Sequence, residues 1–106
     1  MEVVNVRVKY LRPKYNSLKE WMKDENHVYI GRNNPWVGVK RSKWHNPYTV
    51  KQHTREKVVE LYEKYVLEKI EKGELDLDEI RGKVLGCWCK PNDCHGDILV
   101  RLCKEV

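Results

Sequence analysis

Apolar and polar positions along this chain fall into blocks whose period changes from two to nearly four. Val3-Val4-Asn5-Val6-Arg7-Val8-Lys9-Tyr10 begins apolar and passes into strict alternation, which predicts a strand over 3–10 with one half-solvated end, closed by Pro13. Ser17-Leu18-Lys19-Glu20-Trp21-Met22 predicts a short helix, since Ser17 and Glu20 stand at capping-box spacing. His27-Val28-Tyr29-Ile30 predicts a second strand, closed by Gly31-Arg32. Residues 33–53 show neither period. From Thr54 to Lys72, Val59, Tyr62, Val66 and Ile70 recur at helical spacing, Val58, Leu61 and Tyr65 widen the stripe, and Gly73 supplies the stop. Asp76-Leu77-Asp78-Glu79 predicts one more helical turn, ended by Gly82. Lys83 to Cys89 is apolar on both faces and predicts a central third strand. Asp97 is placed to cap a last helix that turns Ile98, Leu99, Leu102 and Cys103 inward. The order β-α-β-loop-α-β-α predicts a small single-domain α/β fold over residues 1–106, three-layered with a mainly parallel sheet.

Composition narrows the classes. Of 106 residues, 35% are charged and 41% hydrophobic, which suits a globular chain large enough for a core without covalent staples. No stretch approaches the roughly 20 apolar residues of a membrane span, and no secretory pattern opens the chain, so a cytoplasmic protein without a membrane partner is expected. Four cysteines in that compartment are expected to be reduced, metal-bound or catalytic. Ala and Phe are absent, Gln52 is the single glutamine, and Lys, Glu and Val abound, a profile that leans towards a thermophile. The net charge of +5 is unevenly spread: residues 1–55 hold 12 Lys or Arg against 4 Asp or Glu, and residues 56–106 hold 9 against 12. The basic half favours an anionic partner.

Three of the four cysteines lie in Gly86-Cys87-Trp88-Cys89-Lys90-Pro91-Asn92-Asp93-Cys94-His95-Gly96-Asp97, between the third strand and the last helix. Strand-to-helix junctions are where α/β proteins commonly place chemistry. Three readings stand side by side. Cys87, Cys89, Cys94 and His95 match zinc's ligand set in type and number, although neighbours such as Cys94 and His95 point apart. Alternatively Cys94, near a helix N-terminus and beside His95, is an activated nucleophile, with Asp97 orienting the imidazole. In the third reading the thiols only pack, as Cys103 does on the apolar face of its helix.

Gly31-Arg32 directly follows a strand, and in a parallel sheet it would sit at the ligand-binding edge, where Arg32 offers a fork suited to phosphate or carboxylate. Lys40-Arg41-Ser42-Lys43-Trp44-His45-Asn46-Pro47-Tyr48 interleaves cations with aromatics, as nucleotide and nucleic-acid sites do. The same aromatics would equally anchor a long loop to the body of the fold, and Asn46 would either brace its turn or contact a ligand.

Val3-Val4-Asn5, Val28-Tyr29-Ile30-Gly31-Arg32, Ser42 to Tyr48, Arg55 with Tyr62, and Leu85 to Pro91 with Cys94-His95-Gly96-Asp97 together resemble the family catalogued as domain of unknown function 4326. The resemblance covers nearly the whole chain. It implies an α/β fold and a pocket shared by Asn5, Gly31-Arg32, Asn46-Pro47 and the Cys-His segment, and it carries no assigned activity.

These readings lead to one expectation and one alternative. The expectation is a pocket at the strand C-termini for a phosphorylated or nucleotide-like ligand, or a nucleic-acid end. Arg32, Lys40, Arg41 and Lys43 would supply charge, Trp44 or Trp88 a stacking face, and Cys89, Cys94, His95 and Asp97 the reactive or ligating groups, with group transfer or hydrolysis through Cys94 or His95. The alternative is a non-catalytic nucleic-acid- or protein-binding module whose Cys/His cluster is structural.

Overall fold

The computed structural model describes every residue except Val50, Pro91, Asp93 and Val106. Three short parallel strands, β1 (Glu2–Asn5), β2 (His27–Tyr29) and β3 (Val84–Cys87), form a sheet in the order β1-β3-β2. Asn5 stands opposite Cys87, and Tyr29 opposite Gly86, so all three strands end at one edge. The central position of the third strand follows from its apolar faces: Leu85 is fully buried on one side, while Gly86 is buried on the other.

The first strand is shorter than its alternation predicts. Asn5 Oδ1 accepts the Arg7 N–H at 2.9 Å, an Asx turn that draws the backbone out of the ladder, and Val8–Leu11 then form a one-turn helix, α1. Alternating residues 6–10 therefore lie outside the sheet.

Layers of helix cover both faces. Helices α1 and α2 (Leu18–Trp21) lie on one side, where Val6, Leu11, Leu18 and Trp21 close a core with Tyr29. Ser17 caps α2 through the Glu20 N–H at 3.1 Å, as its spacing predicts. Gly86 permits this packing, because a Cβ there would lie 2.6 Å from both the Trp21 ring and Val6 Cγ1. On the opposite face lie α3 (Arg55–Glu71), a 3-10 turn (Leu77–Glu79) and α4 (His95–Glu105). They enclose the larger core of Tyr62, Val66, Ile80, Leu85, Leu99 and their neighbours. Thr54 caps α3, and Gly73 ends it at φ 77°, a left-handed conformation that glycine adopts without Cβ strain. Among the described residues no helix is long and apolar enough to cross a membrane.

Helix α4 begins two residues before its expected cap. Cys94 takes the N-cap place, and its Sγ accepts the Gly96 N–H at 3.4 Å. Asp97, in the first turn, reaches back to the Cys94 N–H at 3.1 Å. This is a capping box with sulfur in place of the usual hydroxyl, which ties the cap chemistry to the thiol cluster.

Candidate functional site

The shared strand edge gathers the chemistry. Cys87 ends β3, Trp88 and Cys89 follow it, and Cys94 and His95 open α4. Asn5 Nδ2 donates to the Lys90 carbonyl at 2.5 Å and Lys90 Nζ pairs with Asp97 at 2.7 Å, so the segment after β3 is held from both sides. Pro91, within the motif, lies outside the described residues.

The sulfurs of Cys87, Cys89 and Cys94 all lie within 4.8 Å of one another. Cys87 Sγ approaches Cys94 Sγ to 2.6 Å, and both residues are 1% exposed, whereas Cys89 is half-buried. Three thiols this close cannot ionise independently. The Cys89 thiol is held far below its ordinary value by hydrogen bonds from Cys87 and Cys94, with Arg55 adding a further one. Cys87 is pushed up to about 11, first by donating a hydrogen bond to Cys89, and Cys94 is driven upward by its bonds to Cys87 and Cys89. One shared negative charge, centred on Cys89, is the state these contacts favour.

His95 Nε2 lies 2.7 Å from the Ile30 carbonyl, which can only accept, so the neutral ring carries its proton there. Its Nδ1 is left as an acceptor facing Cys94 Sγ at 3.7 Å. Burial lowers the pKa of His95 and keeps the ring neutral. The group that orients His95 is thus the Ile30 carbonyl. Asp97, expected from the sequence to do so, instead holds Lys90 and the Cys94 N–H.

A cavity of about 220 Å³ opens beside this cluster. Cys89, Cys87, His95 and Trp88 form one wall, Arg55, Val58 and Val59 of α3 another, and Gly31-Arg32 with Asn46, Tyr48 and Thr49 the rim. Arg32 builds that rim: Nε donates to the Asn46 carbonyl at 3.0 Å and Nη2 to the Tyr48 carbonyl. Asn46, 5% exposed, accepts the Tyr48 N–H at 2.9 Å and fixes the Asn46-Pro47 turn. Trp88 Nε1 donates to Tyr29 Oη at 2.8 Å, and Tyr29 in turn donates to the Arg32 carbonyl at 2.6 Å, linking sheet, cavity wall and rim. Among the described residues two arginines and no carboxylate line the cavity.

The structure thus brings Gly31, Arg32, Asn46, Trp88, Cys89 and His95 together, with Cys94 just beneath. It leaves five other candidates elsewhere. Asn5 faces a separate groove. Trp44 is 2% exposed in the core, where its carbonyl accepts the buried Tyr62 hydroxyl at 2.6 Å. Lys43 is paired with Glu79 at 2.5 Å outside the cavity. Lys40 and Arg41 line other surface depressions. Residues that sequence reasoning did not assign to the pocket are Tyr48, Thr49, Val58 and Val59; Arg55, one residue after the Thr54 cap, had its position as the available signal.

Fold and site together define a three-layer α/β domain with a thiol cluster and an arginine-lined cavity at the strand C-termini. The chain belongs to the family described as "Domain of unknown function (DUF4326)", whose model matches residues 14–105. It is 39% identical over 92 residues to an uncharacterised protein of Acanthamoeba polyphaga mimivirus, covering 74% of this chain and 68% of that protein. It is also 39% identical over 66 residues to an uncharacterised 12.4 kDa protein of the nrdA-td intergenic region of Enterobacteria phage T4, covering 59% of this chain and 61% of that one. No solved structure matches.

Proposed function

We propose that the cavity binds a small phosphorylated or nucleotide-like anion and that Cys89 acts on it as a nucleophile in group transfer. The observation that carries this reading is the pairing of Arg32 and Arg55 with a thiolate-prone Cys89 in a cavity with no carboxylate among its described lining residues. Guanidinium forks match phosphate oxygens in shape and charge, and the Trp88 and Tyr48 rings add apolar area. A volume of about 220 Å³ lies below the roughly 300–1,000 Å³ typical of drug-sized ligands, so the ligand is a small phosphate ester or the end of a larger molecule. In the chemical step a bond from Cys89 Sγ to the electrophilic atom forms as the leaving group departs, and water then releases the transferred group. Cys87 and Cys94 support the thiolate, and His95 holds Cys94 in place. Reduced thiols are required, which a cytoplasmic setting provides.

The test is thermal melting with inorganic phosphate, ribose 5-phosphate and AMP. A ligand present at a hundred times its Kd stabilises by about 2.7 kcal/mol, so a binder raises Tm by several degrees. That rise should vanish in Arg55→Gln. Stabilisation by none of the three at millimolar concentration refutes the reading.

The convergence of three sulfurs favours a second reading, in which Cys87, Cys89 and Cys94 hold zinc and the cluster is structural. The three-sulfur group does not include His95; with its Nε2 committed to the Ile30 carbonyl, a fourth ligand would come from the His95 Nδ1 or from outside. Elemental mass spectrometry on tag-free reduced protein decides: about one zinc per chain, lost in Cys94→Ser with a large fall in Tm, establishes the structural centre.

A further inference from the structure

A groove of about 630 Å³ runs beside β1 and shares no lining residue with the cavity. Val3, Val4, Leu11 and Trp21 form its floor, and Tyr10, Arg12, Lys14, Tyr15 and Lys90 its rim, with no carboxylate among its described lining residues. We propose that this groove binds single-stranded nucleic acid.

Charge is the first support. Between Glu2 and Glu20 the chain has no acidic residue, and Arg7, Lys9, Arg12 and Lys14 fall in this interval. None of these four has a carboxylate partner among the described residues, whereas Lys43, Lys57, Lys69, Lys90 and Arg101 are each ion-paired. Arg12 and Lys14 line the groove and Lys9 lies over the Tyr10 ring on its rim, so unneutralised cations there create the local positive field that a phosphate backbone relieves with release of its counterions.

Ring geometry is the second support, and it selects the class of polyanion. Tyr10 is 54% exposed, although a tyrosine on a one-turn helix beside an apolar floor has room to pack. Lys9 Nζ lies 5.0 Å from the centroid of the Tyr10 ring, and Lys14 Nζ 5.7 Å from that of Tyr15. Each pair places a cation beside a flat π-face, the combination that takes a phosphate and its base together. An acidic peptide would satisfy the cations and leave the rings without flat partners. Bases of a duplex are already stacked on one another, so the unstacked bases of a single strand fit this surface.

The test is fluorescence anisotropy of labelled 15-nucleotide oligo-dT with the full chain in reducing buffer. With Lys9, Arg12 and Lys14 each neutralising one phosphate, log K should fall with log salt at a slope of about −2, which amounts to roughly a 20-fold loss of affinity between 50 and 200 mM salt. Arg12→Glu with Lys14→Glu should abolish binding at 200 mM, and Tyr10→Ala should weaken it about five-fold or more. Cys89→Ser should leave it unchanged, which separates this groove from the cavity and lets either proposal fail alone. Circular dichroism confirms that each variant folds, and all three substituted groove residues are exposed. Absence of binding at 50 mM salt overturns the proposal. So does equal competition by polyglutamate, which marks plain charge attraction, or loss of binding on reversing Lys40 and Arg41 with no effect of the groove variants.

Discussion

Alkylation of Cys89 by iodoacetamide, followed by residue-resolved peptide mass spectrometry, probes the thiol cluster directly. An unperturbed thiol of pKa 9.0 has about one part in ten thousand as thiolate at pH 5 and nearly a tenth at pH 8, so its labelling rate rises about a thousand-fold across that range. Cys89 is held far below that value by the Cys87 and Cys94 thiols and by Arg55, so it is already ionised at pH 5 and its rate should stay flat. The diagnostic is the slope, because a thiolate of lowered pKa is also a weaker intrinsic nucleophile and its absolute rate need not be high. Cys103 is raised by burial against α4's neighbours and supplies the steep internal reference. Cys87 and Cys94, each 1% exposed, should label last. A Cys89 rate that climbs with pH in parallel with Cys103 refutes the shared-thiolate account. Labelling that begins only after a zinc chelator is added favours the metal centre instead.

Three other outcomes follow from the same contacts. Gly86→Ala drives a Cβ to within 2.6 Å of the Trp21 ring and should cost about 1–3 kcal/mol by overpacking, read as a fall in Tm of about 5 °C or more by calorimetry. Tyr62→Phe leaves the Trp44 carbonyl without its buried donor and should cost about 1–3 kcal/mol in urea unfolding, with the m-value unchanged. His95 has its pKa lowered by burial, so the unfolded state binds the extra proton first: stability should be full above pH 6.5 and decline as pH falls below it, and His95→Gln should flatten that decline in a Tm series from pH 7.5 to 5.

Much of the architecture was legible in the sequence because it depends on local rules. The apolar run 83–89 read as a central strand, of which 84–87 pair in the sheet, the stripe Val59-Tyr62-Val66-Ile70 widened by Val58 gave α3 a core face, and Ser17 and Gly73 marked helix ends through cap chemistry that needs no distant partner. The cysteine junction was equally visible, as was its place at the sheet edge. What alternation alone could not give was the exit from β1: the Asn5 side chain competes with the ladder for the backbone, and that local bond turns residues 8–11 into a helix beside a basic groove.

Site membership was decided by tertiary structure. In the sequence, Trp44 and Trp88 were equivalent stacking candidates, yet Trp44 lies buried beneath Tyr62 while Trp88 reaches the cavity through its bond to Tyr29. Lys43 stood in a basic run, and only the fold brings Glu79 to it across 36 positions of chain. The distinction among the cysteines is of the same kind. Spacing placed Cys87, Cys89 and Cys94 together, but which of them carries charge depends on which faces Arg55 and the cavity and which are sealed in the core. Periodicity and capping are short-range and can be read along the chain, whereas burial and charge partners depend on residues far apart in sequence and exist only once the layers have packed.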